Sequence, residues 1–337
     1  MKLNLNNFDK IIFDLDGVIT SELAYWHSAA CGAYDMLFNY EQYGVCGIDE
    51  KCCREDYRDI YNVIMCGGKT VRAVKRLAVN TNYDLLYVVF CVSKYLNPDL
   101  DTLDEAHFES VRMFIENIDM KAPELYDSLS ALLSTSMPEY EEGHFKHSGD
   151  FFEKEVIGTF QKWYLGTDEF EGLITSDELL FDPADIEKTL KGLKEKGIRL
   201  GIGTGRPDVE MLRPLEKFNI LKYFDKDMII TLDDVFAAEQ EFKPVQPLAK
   251  PDPFVFLKAA LGANHSTKEI LDGDYTYAEL TRTLIVGDAP SDLFSAQRGG
   301  FEFLAVLTGV EGDGMRQYFI ENKADYILDN VLMMLDE

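Results

Sequence analysis

Asp14-Leu15-Asp16-Gly17-Val18 follows the apolar run Ile11-Ile12-Phe13 and leads into Ile19-Thr20. The bulky, β-favouring residues in front read as a short, fully buried strand. Two carboxylates one residue apart then stand where that strand ends, and Gly17 can take the positive φ of a sharp turn. In a continuing strand Asp14 and Asp16 would share one face. Open α/β sheets carry their chemistry at the carboxyl ends of strands. A calcium loop would need further oxygen ligands at alternating positions, and Val18 and Ile19 stand there instead. A plain surface turn is the other alternative, but two carboxylates beside a buried strand are costly without partners. The stretch therefore calls for a cation and for basic or hydroxyl groups from elsewhere in the chain.

Later segments offer them. The pattern predicts a helix over 185–196 ended by Gly197, then a buried strand over 198–203 closing on Thr204-Gly205-Arg206-Pro207. Thr204 brings a hydroxyl, and Gly205 lets backbone approach a ligand. A loop over 222–225 and a short strand over 228–231 follow. Between Lys243 and Pro253 four prolines rule out an ordinary helix interior and brace Lys250 through Pro251. Thr283-Leu284-Ile285-Val286-Gly287 reads as another buried strand, ending on Asp288. Asp292 lies four residues on, at the entry to a helix over 293–298, so both carboxylates can face one centre. A capping role is the alternative for Asp292. Strands over 303–307 and 326–328 complete the pattern.

Residues 21–175 interrupt this α/β alternation. Apolar spacing predicts helices over 22–40, 69–79, 103–117, 124–133 and 150–164. The valine-rich stretch 84–96 is apolar nearly all round and fits a buried helix or a strand. Tyr25, Trp26 and His27 could line a pocket or belong to the core of this insert. His144 and His147 have no matching pair and read as solvated.

With 337 residues and 46% hydrophobic composition, the chain has room for two domains or one domain with a large insertion. Sixty acidic against 33 basic residues give a net charge of −27, which disfavours nucleic acid and anionic membranes as partners. The oligomeric state is not legible. Six cysteines (Cys31, Cys46, Cys52, Cys53, Cys66, Cys91) lack paired C-x-x-C spacing and read as reduced thiols rather than a zinc site. No signal peptide and no apolar run near the roughly 20 residues of a membrane span are apparent, so a cytoplasmic location is expected.

The convergent set is Asp14, Asp16, Thr204, Lys250, Asp288 and Asp292. Four carboxylates cannot all stay ionised without a cation, and oxygen-only donors suit Mg²⁺. Thr204 and Lys250 suit a phosphoryl group. In order and spacing, Asp14-Leu15-Asp16-Gly17-Val18, Gly203-Thr204-Gly205-Arg206, Lys250-Pro251 and Gly287-Asp288-Ala289-Pro290-Ser291-Asp292 resemble the motifs of the haloacid dehalogenase superfamily. The resemblance covers residues 1–20 and 176–337. It implies a Rossmann-like, doubly wound parallel sheet, with 21–175 as an inserted all-helical cap that closes over the site.

The resemblance also implies roles. Asp14 would be the nucleophile that forms an aspartyl-phosphate, and Asp16 the general acid and base. Mg²⁺ would be held by Asp14, the backbone carbonyl of Asp16 and Asp288, with Asp292 ligating it or orienting a bound water. Thr204 and Lys250 would bind the phosphoryl group, with Gly205 beside them. Arg206 would touch phosphate or pair with an acidic surface residue. An aspartate at position 16 fits phosphatases and phosphomutases, where dehalogenases lack an acid and transport ATPases carry threonine. The expected activity is Mg²⁺-dependent hydrolysis of a small phosphorylated metabolite. The alternatives are a phosphomutase of the β-phosphoglucomutase kind and a non-catalytic binding protein on the same fold.

Overall fold

The computed structural model describes residues 2–38, 50–77, 79, 81–141, 143–168 and 170–335, with the side chains of 50–56 and 263 left aside. The chain forms two compact units, Met1–Glu22 with Asp177–Glu337, and Leu23–Ser176.

The first unit is built on a parallel sheet of six strands: β1 (Lys10–Phe13), β2 (Arg199–Gly203), β3 (Ile229–Ile230), β4 (Thr283–Gly287), β5 (Glu302–Val306) and β6 (Tyr326–Leu328). Their order is β3-β2-β1-β4-β5-β6. The order reverses beside β1, and ligands of doubly wound sheets bind in the crevice outside such a switch point. In β1, Phe13 pairs with Ile202 on one side and Val286 on the other, so β1 is central. Alternation divides its apolar side chains between two cores. Ile11 and Phe13 join Leu200, Ile202, Leu284 and Val286, whereas Ile12 joins Ile285, Phe303 and Phe256. Burial on both faces is why β1 reads as a continuous apolar run. The short strand expected over 228–231 is shorter still, because a turn of 3₁₀ helix takes Lys226–Met228.

The second unit is helical. Leu23–Phe38, Lys69–Lys75, Glu105–Glu116 and Glu124–Ser136 fall within three residues of the expected bounds, except that the 69–79 segment stops at Lys75. The ambiguous 84–96 segment is a helix, Asn82–Leu96, whose start is fixed by Thr81 accepting the Asp84 N–H at 3.1 Å. The 150–164 segment divides into a π-helical stretch, Phe151–Ile157, and an α-helix, Gly158–Leu165. Glu50–Ile64 is a helix not expected above; it is strongly charged, but Ile60, Tyr61 and Ile64 fall at helical spacing and are buried.

His147 departs from its reading as a solvated residue. Its ring stacks on Tyr126 at 3.8 Å, lies 3.9 Å from Phe152 and bonds Asp84 at 2.6 Å. Tyr25 belongs to the unit's core, stacked on Tyr164 at 4.4 Å. Cys31, Cys66 and Cys91 carry free thiols, while Cys46 and the side chains of Cys52 and Cys53 lie outside the described residues. Among the described residues no helix is long and apolar enough to cross a membrane.

Candidate active site

The β1 ladder runs one residue past the strand, the Asp14 N–H donating to the Val286 carbonyl at 2.9 Å. The chain then folds tightly. The Leu15 carbonyl accepts the N–H groups of Val18, Ile19 and Thr20, and the Gly17 N–H donates to the Thr20 carbonyl at 2.9 Å. Leu15, Val18 and Ile19 are fully buried and anchor the loop from below. Gly17 takes φ +73°, as its place in the sequence suggested.

Lys250 joins two of the expected carboxylates. Its ammonium lies 2.9 Å from Asp14 Oδ1 and 2.8 Å from Asp292 Oδ1, and 4.7 Å from the centre of the Phe256 ring. Asp292 does more than cap. Its Oδ2 accepts the Ala289 N–H at 3.3 Å near the start of the helix Pro290–Gly299, while Oδ1 holds Lys250. One oxygen each from Asp14, Asp288 and Asp292 lie within 4.8 Å of one another.

Asp288 has the tightest surroundings. A Cβ on Gly17 would stand 2.3 Å from its Oδ2, and a Cβ on Gly309 2.0 Å. Among the described residues the Asp288 carboxylate has no hydrogen-bond or ion-pair partner. An unpartnered carboxylate packed between two glycines beside two more carboxylates and one ammonium leaves excess negative charge. That is the donor set of a hard divalent cation, so the residues fit Mg²⁺.

The charges leave their mark on proton affinities. Burial pushes the Asp14 carboxyl up to about 7; Lys250 opposes the rise, and Asp292 and Asp16 add to it. Burial also raises Asp288 well above the ordinary carboxylate range, with Asp292, Asp14, Glu22 and Asp16 adding to it. For Lys250 burial favours the neutral amine, but Asp14 and Asp292 outweigh it and hold the ammonium.

Thr204 is buried just past β2, its N–H on the Ile230 carbonyl at 3.0 Å. Its Oγ1 accepts the Arg206 N–H at 3.2 Å, and among the described residues nothing takes the hydroxyl proton. A Cβ on Gly205 would meet nothing within 4 Å, so protein packing does not require glycine there.

Arg206 pairs with acids, but not at the surface. It is 2% exposed, and its partners are not surface acids. Nε donates to both Asp16 oxygens at 3.0 Å, and Nη2 donates to Asp16 Oδ1 and to the Ser21 carbonyl. Nη1 donates to Asp177 Oδ2 at 2.9 Å and to the Glu210 carbonyl at 3.2 Å. The Asp16 carboxylate thus lies outside the three-carboxylate group, held by Arg206 and by the Thr20 hydroxyl at 3.1 Å. Asp177, Thr308, which bonds the Gly17 carbonyl, and Gly309 were not foreseen from sequence.

The fold and site define an α/β protein, a doubly wound parallel sheet with a carboxylate-and-lysine centre at its switch point. The description of haloacid dehalogenase-like hydrolases matches residues 8–300, and the chain belongs to that family. It is 32% identical over 161 residues to Pyrophosphatase PpaX of Bacillus mycoides, a match covering 47% of this chain and 60% of that protein. Pyrophosphatase PpaX of Bacillus cereus is 30% identical over 196 residues, covering 55% of this chain and 76% of that one. An X-ray structure of a structural-genomics target superposes with a TM-score of 0.81 at 26% identity, over 97% of both chains.

Proposed function

We propose that the protein is a Mg²⁺-dependent phosphatase that hydrolyses a small phosphorylated metabolite through a phosphoryl group carried on Asp14. The observation that carries this reading is the Asp14 carboxylate at the end of the central strand, paired with Lys250 at 2.9 Å and grouped with Asp288 and Asp292.

The chemistry runs in two displacements. Asp14 attacks phosphorus, its O–P bond forming as the ester P–O bond breaks, and Asp16 gives its proton to the departing alcohol oxygen. Asp16 then takes a proton from water; the water oxygen bonds phosphorus while the Asp14 O–P bond breaks. Inorganic phosphate leaves and the Asp14 carboxylate is restored. Lys250 keeps Asp14 ionised and, with the Thr204 hydroxyl, holds phosphoryl oxygens as their charge redistributes. Asp14, Asp288 and Asp292, with the Asp16 carbonyl, are the groups that would hold Mg²⁺. When bound, the ion supplies the positive charge that lets these carboxylates stay ionised beside a phosphoryl group.

The relatives named Pyrophosphatase PpaX favour a second reading, in which the leaving group is phosphate and the substrate is inorganic pyrophosphate. A panel of phosphomonoesters, hexose phosphates and pyrophosphate, assayed with Mg²⁺ for phosphate release and for isomerised sugar, separates hydrolysis, pyrophosphate cleavage and mutase activity. Wild-type turnover that Asp14→Asn abolishes supports the enzyme. No wild-type turnover across the panel would leave a binding protein as the better reading.

A further inference from the structure

We infer that Arg206 and Asp177 are positioning residues for the general acid Asp16, and that Arg206 does not bind the phosphoryl group. The inference rests on the proposed role of Asp16 as proton donor.

A guanidinium has five N–H groups, and all five have protein acceptors here: Asp16 through Nε and Nη2, Ser21 through Nη2, Asp177 and Glu210 through Nη1. None is left for a phosphoryl oxygen. Two donors on one edge of the guanidinium, Nε and Nη2, converge on Asp16 Oδ1 while the shared Nε–H also reaches Oδ2, so the carboxylate is held in orientation rather than merely attracted. Oδ1 takes Nη2, Nε and the Thr20 hydroxyl, whereas Oδ2 takes only the shared Nε–H. The fork therefore leaves Oδ2 as the oxygen free to carry a proton. Asp16 is partly exposed, and its backbone leads into a glycine-containing turn; without the fork its two side-chain torsions would be held only by Thr20.

Arg206 needs an anchor of its own. A lone guanidinium in so buried a place is costly unless its charge is matched. The fully buried Asp177 matches it from the edge opposite Asp16. The backbone is tied at both ends as well: the Arg206 N–H sits on Thr204 Oγ1, the Arg206 carbonyl accepts the Leu232 N–H at 3.0 Å, and the Asp177 carbonyl accepts Lys217 Nζ at 2.8 Å. Asp177 fixes Arg206, and Arg206 fixes Asp16. A misplacement of about 1 Å at a reacting group can cost on the order of a hundredfold, so this relay bears on rate without touching substrate.

The test compares kcat and KM for p-nitrophenyl phosphate, whose leaving group needs little protonation, and phenyl phosphate, whose leaving group needs more. Inhibition by inorganic phosphate is measured alongside. Arg206→Lys keeps the charge and loses the fork. We expect kcat on phenyl phosphate to fall at least about tenfold more than on p-nitrophenyl phosphate, in the sense of Asp16→Asn, with phosphate inhibition unchanged. Arg206→Met with Asp177→Leu removes both buried charges together, keeps the fold where a single change would not, and should give the same pattern. Equal losses on both substrates would reduce Arg206 to a structural role, and weakened phosphate inhibition would make it a phosphate ligand; either overturns the inference. If Asp16→Asn itself shows no leaving-group dependence, the reading of Asp16 as acid fails first, and the inference falls with it.

Discussion

The Nζ of Lys250 stands 2.9 Å from Oδ1 of Asp14, the first residue beyond the central strand. The same ammonium satisfies the buried Asp292. Lys250→Met removes the charge and keeps the apolar stem over Phe256. It should lower kcat by about 10²–10³, the usual loss for one preorganised electrostatic donor. Without Mg²⁺ the variant should also melt at a lower temperature, because Asp292 loses its ion-pair partner. Steady-state kinetics and thermal melts check both.

Gly309 lies where any side chain would collide with Asp288, its Cβ direction ending 2.0 Å from Oδ2. Gly309→Ala should leave the fold intact, since the three nearest atoms it would meet all belong to the Asp288 side chain. It should displace Asp288 and weaken Mg²⁺ binding at least tenfold. Isothermal titration with Mg²⁺ measures the loss directly, and wild-type affinity would mean that Asp288 is not a ligand.

The raised Asp14 and Asp288 carboxyls have a stability consequence with a definite sign. A carboxyl whose pKa is higher folded than unfolded stabilises the fold most when protonated, so the contribution is lost as pH rises. For Asp14 the window lies between 3.8 and about 7. Metal-free protein should therefore lose stability across that range, and saturating Mg²⁺ should remove the loss. Mg²⁺ at a hundred times its dissociation constant should add about 2.7 kcal/mol. Asp288→Asn should melt higher than wild type without metal and gain nothing from Mg²⁺.

His27, in the helical unit, titrates the other way. Its ring meets Tyr57 at 5.0 Å and Tyr61 at 4.8 Å, and burial, with Arg58 adding, pushes its pKa down to about 4. The unfolded chain takes up the proton first, so stability is lost as pH falls from 6.5 toward about 4. With Mg²⁺ present to silence the carboxylates, the acid-side loss should be smaller in His27→Gln than in wild type. Melts between pH 4 and 7 compare the two.

The grouping of Asp14, Lys250, Asp288 and Asp292 was legible because these residues announce themselves locally. Asp14 and Asp16 break an apolar run, Lys250 sits in a proline-braced segment, and Asp288 and Asp292 follow a strand with a helix entry between them. Asp177 carried no such signal: in Ser176-Asp177-Glu178 it looks like any surface turn. What makes it distinctive is a buried guanidinium 29 residues away in sequence, and no local pattern encodes that. Gly309 follows the same logic, since its reason is a side chain that arrives from another loop. In the helical unit the Asn82–Leu96 helix was ambiguous by periodicity, because burial all round erases the polar face that distinguishes helix from strand. Glu50–Ile64 was missed although Tyr57, Ile60, Tyr61 and Ile64 keep a helical spacing, because the many charged residues between them make the stretch read as polar.

The central claim is that Asp14 carries the phosphoryl group. Enzyme mixed with p-nitrophenyl phosphate and Mg²⁺, quenched in acid within a single turnover and digested, should yield the peptide containing Asp14 with one phosphoryl group attached to that carboxylate. Asp14→Asn should yield none and release no phosphate. Phosphate release by wild type with Asp14 unmodified throughout the turnover, or with the phosphoryl group on another residue, would contradict the account.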